Sequence, residues 1–206
     1  VEYHDHKSPS IYVKFNVKKN LEKLGSPEKP VSFVIWTTTP WTLPANWGIA
    51  LHPEFNYGLY DIGNEIIILA EDLSEEVAEA AKVKMKKVGE YKGKELENLV
   101  AEHPFMNRDS KVILGEHVTL EAGTGCVHTA PGHGLDDYVV GKKYGLPVDS
   151  PVDAAGKYTD EVPEYQGVSI WDANKLIVEK LVESKHMLAH SELAHSYPHN
   201  PRSKTP

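Results

Sequence analysis

Two peptides in this chain concentrate groups that can do chemistry. The first is Trp36-Thr37-Thr38-Thr39-Pro40-Trp41-Thr42-Leu43-Pro44-Ala45-Asn46. Three consecutive threonines set several hydroxyls over a small surface, and each hydroxyl both donates and accepts hydrogen bonds. Pro40 and Pro44 stiffen the backbone and deny it a regular ladder. Such a surface can hold a water and the oxygens of an ester. By composition alone it reads equally well as a sheet edge closed by a proline-stiffened turn. The second peptide runs from Gly123-Thr124-Gly125-Cys126-Val127-His128 through Gly132-His133-Gly134-Leu135-Asp136-Asp137-Tyr138. Its glycines let backbone approach a ligand closely. If a helix opens at 134, Asp137 falls in the first turn, where backbone N–H groups favour a carboxylate. An ionised carboxylate there is a natural partner for a ligand ammonium group.

The same spacing raises other chemistries, and each is poorly matched. His133 and Asp137 stand four apart, with His128 as a third possible metal ligand, but no His-Glu-x-x-His pattern occurs. The reading therefore assigns no metal. Gly123 and Gly125 lack the rest of a dinucleotide fingerprint, and no Gly-x-Ser-x-Gly elbow supplies a serine nucleophile. His186, His190, His195 and His199 read as surface histidines, and Lys84-Met85-Lys86-Lys87 as the solvated basic end of a helix.

The elements that must position these peptides follow from periodicity. Residues 9–17 alternate, with Ile11, Val13, Phe15 and Val17 on one face, and predict a half-buried strand. Residues 31–36 read as a second strand and 37–47 as an ordered loop. A hairpin is expected over 57–60 and 65–69, turning at 61–64. Residues 74–87 predict a helix, 97–101, 111–114 and 118–121 strands, and 134–144 a helix opened by glycines. Residues 172–186 predict an amphipathic helix with Ala173, Leu176, Ile177, Lys180, Leu181 and Ser184 on one side. The tail, 195–206, shows no periodicity. The sum is a mixed α+β domain with a barrel-like β core and peripheral helices.

Length and composition set the bounds. The 206 residues suffice for one domain with a proper core. The formal charge of −8 argues against a free-standing nucleic-acid binder, so any nucleic-acid contact must be local. One cysteine, Cys126, makes no internal disulfide, and fits a reducing compartment. No apolar run reaches the roughly 20 residues that span a bilayer. The N-terminus lacks a signal-peptide layout and starts at Val1, which reads as a piece of a longer protein.

Taken together, the threonine-rich peptide at 36–46 and the glycine–histidine peptide at 123–138 resemble the two motifs of isoleucyl-tRNA synthetase editing domains. The stretches Tyr3–Phe15 and Tyr165–Asp172 are similar too, so the resemblance covers nearly the whole chain. Valyl and leucyl editing domains carry an arginine and an acid in the threonine-rich peptide, which are absent here. Near the end, Asn200, Pro201 and Ser203 depart from the family, outside both motifs.

The resemblance implies an insertion in a class I synthetase with a barrel-like core. Residues 1–206 would form a single editing domain, with 1–10 and 190–206 as junctions to an absent catalytic body that carries the ATP-binding signatures. The implied activity is hydrolysis of valine from mischarged tRNA(Ile), and also of valyl-adenylate, by a pocket that excludes isoleucine. Implied partners are the 3′ end of that tRNA and the catalytic body. A cytoplasmic monomer, with no cofactor in this domain and no membrane contact, is expected. The implied catalytic set is Asp137, His128 and Thr39. Asp137 would hold the substrate ammonium, and Thr39 and His128 would shape the side-chain pocket. Trp36, Thr37, Thr38, Thr42 and Asn46 would line the loop side, around the ester, the terminal adenosine or the attacking water. His128 is left open between general base and wall. The rival expectations are a metal-dependent hydrolase using His128, His133 and Asp137, a non-catalytic binding module, and a sister editing domain for valine or leucine enzymes.

Overall fold

The computed structural model describes the backbone of residues 2–199 and the side chains of 9–191. The departures at Asn200, Pro201 and Ser203 lie outside the described residues. Ten strands and three α-helices follow one another as β1 (Glu2–Lys19), β2 (Val31–Thr37), β3 (Gly48–Leu51), β4 (Asn56–Asp61), β5 (Ile66–Ala70), α1 (Ser74–Ala81), β6 (Lys86–Lys92), β7 (Val100–Glu102), β8 (Asp109–Leu114), β9 (Cys126–Thr129), α2 (Leu135–Lys143), α3 (Ile170–Glu183) and β10 (Met187–His199).

The long first strand organises the sheet. Its alternation buries Ile11, Val13, Phe15 and Val17, while Asn16 faces solvent. One part pairs antiparallel with β2 and β10, and its C-terminal end pairs with β7 across an irregularity between Val17 and Lys19. The main path runs β6-β4-β5-β2-β1-β7-β8-β3-β9. Its two end strands do not pair with each other among the described residues, so the curved sheet stays open and the expected barrel holds only loosely. Strands β2 and β5 pair in parallel, and β5 is buried throughout. They are apolar on both faces because both are covered. Val31, Phe33 and Ile35 enter the main core, whereas Val34, Ile67 and Leu69 meet Val77 of α1 on the other side.

Several expectations shift by identifiable forces. The helix expected over 74–87 stops at Ala81, where Lys82 turns left-handed at φ 54° and closes the last turn. The lysine-rich stretch after it becomes edge strand β6 against β4, and Lys87 bonds Glu71 at 2.7 Å, so edge pairing overrides helical propensity there. Residues 118–121 form no strand, and β7 starts late because Asn98 is left-handed at φ 71°. Strand β3 arises in a stretch given no element, just past the loop expected over 37–47, and β9 arises inside the second motif. The tail expected to be irregular from 195 carries β10 as far as His199, because pairing with β1 supplies the order that its sequence lacks. Helix α3 opens two residues earlier than expected, with Ser169 Oγ accepting from the Asp172 N–H at 3.2 Å. Ala173, Ile177 and Leu181 are its buried stripe, while Leu176 stays 40 % exposed. No described helix is long and apolar enough to cross a membrane.

One buried histidine braces the region next to the threonine peptide. His103 accepts at Nδ1 from the backbone N–H groups of Met106 (2.9 Å) and Phe105 (3.2 Å), and its Nε2–H donates to the Leu43 carbonyl at 2.6 Å. Burial pushes its basicity down to about 3. An unfolded histidine binds a proton below about pH 6.5, whereas this one stays neutral in the fold down to about pH 3. Stability should therefore fall as pH drops below about 6.5, by roughly 1.4 kcal/mol per pH unit for each such group. Denaturant melts between pH 7 and pH 4.5 check this. His103→Gln should lower stability at pH 7 and flatten the acid slope.

Candidate functional site

The threonine peptide leaves β2 at Thr37 and enters a 3-10 turn over Pro40–Ala45, where the ordered loop was expected. The threonines first satisfy their own backbone. Thr37 Oγ1 accepts from the Thr39 N–H at 3.0 Å, and Thr42 Oγ1 donates to the Thr39 carbonyl at 3.0 Å. The turn is pinned from outside as well. Asn174 of α3 accepts from the Trp41 N–H at 2.9 Å, Tyr158 donates to the Trp41 carbonyl, and His103 holds Leu43. Trp36 is fixed by an indole N–H bond to Ser10 Oγ at 2.8 Å.

Strand β9 delivers His128 beside this turn, paired with β3 through Ile49. Its ring sits between two partners. Asn46 Nδ2 meets Nδ1 at 2.6 Å, and Thr42 Oγ1 lies 2.8 Å from Nε2. The Asn46 amide is oriented independently, because its nitrogen donates to the Gly48 carbonyl at 3.0 Å and its oxygen accepts from Ser110 Oγ at 2.6 Å. The amide nitrogen must then donate to Nδ1, which leaves the proton on Nε2, pointing at Thr42. Burial, with a smaller push from His133, lowers His128 to about 3. Both ring nitrogens are engaged, so His128 lines the cavity as a neutral imidazole with its Nδ1 lone pair occupied by Asn46.

The glycine–histidine peptide then turns into α2, as expected for 134–144, with Asp136 and Asp137 in the first turn. Two glycines are demanded by close approach. Gly125 sits at φ +77°, where a Cβ would lie 2.5 Å from the Cβ of Ala70, and a Cβ on Gly132 would lie 1.9 Å from the Asp149 carbonyl oxygen. Asp137 turns back over its own peptide, with Oδ2 accepting from the Ala130 N–H at 3.0 Å. Loss of water raises its affinity for a proton, and the Ala130 N–H opposes that.

Both peptides line one cavity of about 460 Å³. Trp36, Thr37, Thr39, Thr42, His128 and Asp137 all face it. Two other candidates do not: Thr38 lies half-buried away from the cavity, and Asn46 is fully buried behind His128. No lysine or arginine lines the cavity; its acids are Asp137 and Glu121. Among the described residues, no three His, Cys, Asp or Glu side chains converge to hold a metal ion. Cys126 is buried beside the cavity, its thiol driven far up by desolvation. Sequence reasoning missed His117, which lines the cavity from a stretch read as leading into a strand, and Ser110, which fixes Asn46 from 64 residues away. A lone histidine and a lone serine carry no periodic or motif signal.

Residues 7–189 match the family described as leucyl-tRNA synthetase, editing domain, and the chain belongs to that family. It is 52% identical along its entire length to isoleucine--tRNA ligase of Staphylococcus aureus, and 51% to that of strain JH9. The chain spans 22% of the length of these curated relatives. Among solved structures, GlLeuRS-CP1 superposes with a TM-score of 0.71 at 18% identity, covering 88% of this chain and 99% of that one. The P. falciparum cytosolic leucyl-tRNA synthetase editing domain gives 0.68 at 12% identity, covering 93% and 99%. These two likenesses are of fold.

Two outcomes are expected. Nitrogen-15 shifts of the His128 ring should report an Nε2–H tautomer that persists from pH 8 to pH 5; Nδ1 protonation would overturn the assigned network. Asp137→Asn should raise the melting temperature at pH 7.5, since a carboxylate harder to ionise in the fold than in the unfolded chain costs stability wherever it is charged. That advantage should shrink as pH falls toward about 4, where the unfolded carboxylate also takes up a proton.

Proposed function

We propose that this chain is a proofreading hydrolase that removes valine from mischarged tRNA(Ile), and also valine from its adenylate, within a larger isoleucyl-tRNA synthetase. The observation that carries this is the convergence of the two peptides on one cavity holding a partly desolvated carboxylate and no cationic side chain. An aminoacyl ester carries a free ammonium, and in this reading Asp137 receives it. Family membership and the 52% identity to an isoleucine--tRNA ligase support the choice of amino acid. Residues 1–206 act as one editing unit, with 1–10 and 190–206 leading to the catalytic body, as a cytoplasmic monomer beside the rest of translation.

The sieve follows from His128. One methylene in an apolar pocket is worth only about 1–3 kcal/mol, a general magnitude for which isoleucine against valine is the standing example. Selection by exclusion needs a wall that does not yield, and His128 is held at both ring nitrogens. Thr39, exposed, lines the same cavity. Thr37 and Thr42 present hydroxyls for the ester oxygens or the attacking water, and Trp36 bounds that side. Thr38 stays with the loop, and Asn46 acts through His128.

Catalysis in this reading is by placement, since His128 cannot take a proton from water. Holding ester and water in line can supply roughly 7–11 kcal/mol in favourable cases. The hydrolysis draws on no cofactor.

Deacylation of tRNA(Ile) carrying labelled valine, beside the same tRNA carrying isoleucine, with EDTA in both, tests the reading. Valine should be lost and isoleucine retained. Equal loss of both would remove the sieve, and loss abolished by EDTA would favour a metal hydrolase. Asp137→Ala should cost on the order of 2–5 kcal/mol in kcat/KM, the range for unpairing a buried charge.

A further inference from the structure

The chain of hydrogen bonds behind the cavity has one direction, and two backbone carbonyls set it. A carbonyl oxygen only accepts. At one end the Gly48 carbonyl takes a side-chain N–H of Asn46 at 3.0 Å, so the amide nitrogen lies there and the amide oxygen lies toward β8. Ser110 of β8, fully buried, donates its hydroxyl to that oxygen at 2.6 Å. The second N–H of the amide goes to His128 Nδ1 at 2.6 Å, which leaves the ring proton on Nε2. At the other end the Thr39 carbonyl takes both the backbone N–H of Thr42, at 3.1 Å, and the Thr42 hydroxyl proton, at 3.0 Å. Thr42 Oγ1 has then used its one hydrogen, so in its 2.8 Å bond with His128 Nε2 it is the acceptor.

A threonine hydroxyl has one hydrogen and two acceptor positions. In Thr42 the hydrogen is on Thr39 and one acceptor position is on His128, so a single lone pair remains. Thr42 is half-buried and lines the cavity, as do Thr39 and His128, the two groups bonded to its hydroxyl. Toward a ligand it can accept and cannot donate. Thr37 and Thr39 differ from it. Their hydroxyls lie 3.3 Å apart and either can donate to the other, which leaves one hydrogen uncommitted on the same cavity wall.

The three hydroxyls therefore suit different partners. An ester carbonyl needs a donor, which Thr37 or Thr39 can supply. A group that brings its own O–H suits Thr42. We infer that Ser110 is a positioning residue which, through Asn46 and His128, holds Thr42 as a one-way acceptor for an O–H donor beside the aminoacyl ester. Without Ser110 the amide is held at its nitrogen end alone and can swing away from Nδ1. The inference rests on the reading of the cavity as an aminoacyl-ester site. Two groups there have the required chemistry, the attacking water and the ribose hydroxyl next to the ester, while the ammonium goes to Asp137 in the same reading.

The test uses the full-length protein and tRNA(Ile) carrying labelled valine. Thr42→Val keeps the side-chain shape and removes the acceptor. It should lower kcat/KM for valine removal about tenfold, the scale of one hydrogen bond, and Thr42→Ser should restore most of the loss. Ser110→Ala should cost about fourfold. Because Ser110 acts through Thr42, Ser110→Ala should add nothing in the Thr42→Val background, whereas a merely structural loss would be additive. Nitrogen-15 shifts of His128 in Ser110→Ala should show the Nδ1–H tautomer mixing with Nε2–H. Two non-hydrolysable probes then locate the donor: adenosine carrying valine through an amide, with the neighbouring ribose hydroxyl free or replaced by fluorine. If that hydroxyl is the donor, wild type should bind the hydroxyl probe about tenfold more tightly, and Thr42→Val should erase the gap. If water is the donor, both probes should bind alike to wild type and variant, with the loss confined to kcat. Wild-type turnover in Thr42→Val, no rescue by Thr42→Ser, additive losses in the double variant, or an unchanged His128 tautomer in Ser110→Ala overturns the inference and leaves the aminoacyl reading standing. If wild type removes no valine, both fall.

Discussion

The buried side-chain amide of Asn46 is the interaction on which the cavity depends. It joins its own 3-10 turn and the adjacent β3, through Gly48, to two strands far off in sequence, β8 through Ser110 and β9 through His128. Each partner removes one freedom. Ser110 and Gly48 settle which way the amide faces, the amide settles which histidine nitrogen carries the proton, and that proton settles the role of Thr42. A buried network satisfied at every member is rigid and specific, whereas a partly satisfied one is costly. Arg108 extends the brace, lying 4.2 Å over the Trp47 ring and reaching the Asn46 carbonyl at 3.3 Å. Trp47 in turn donates to Asp149 at 2.7 Å, in the segment that crosses Gly132. The two chemical peptides are thereby locked to one frame.

That frame explains a division of labour among polar groups. His103 and His128 are both neutral and both saturated with hydrogen bonds, and they serve as girders. Asp137 is the opposite: partly stripped of water, it keeps one oxygen on Ala130 and turns toward open space. A fold tolerates such a group when its surroundings fix it and when a ligand of opposite charge relieves it.

Much of this was legible in the sequence. The alternation of β1, the hairpin of β4 and β5, the buried stripe of α3 and the opening of α2 at Gly134 all followed local periodicity and capping. Both chemical peptides stood out by residue type. What local pattern could not carry was pairing between distant segments. β3 has four residues and β9 four, and each is a strand only because its neighbours supply a ladder. The first two residues of β6, Lys86 and Lys87, sat inside an apparent helix because lysine and glutamate favour one, until an exposed edge on β4 offered backbone bonds. In the site the same limit applies. The resemblance implied that Asn46 lines the site, yet Ser110 and Gly48 draw its amide inward, and no local rule reveals a partner 64 residues away.

The single thiol gives the cavity floor a property of its own. Cys126 is the first residue of β9, fully enclosed beneath Thr124 and Ile68 and facing Leu51 across the ladder. A thiol reacts as its thiolate, and this one is denied both ionisation and contact with reagent while β9 stays seated. Its modification must wait for the floor to lift away from β3. The rate at which an alkylating agent consumes Cys126 therefore measures how often the strand carrying His128 detaches, a local opening that melting of the whole domain would average out of view.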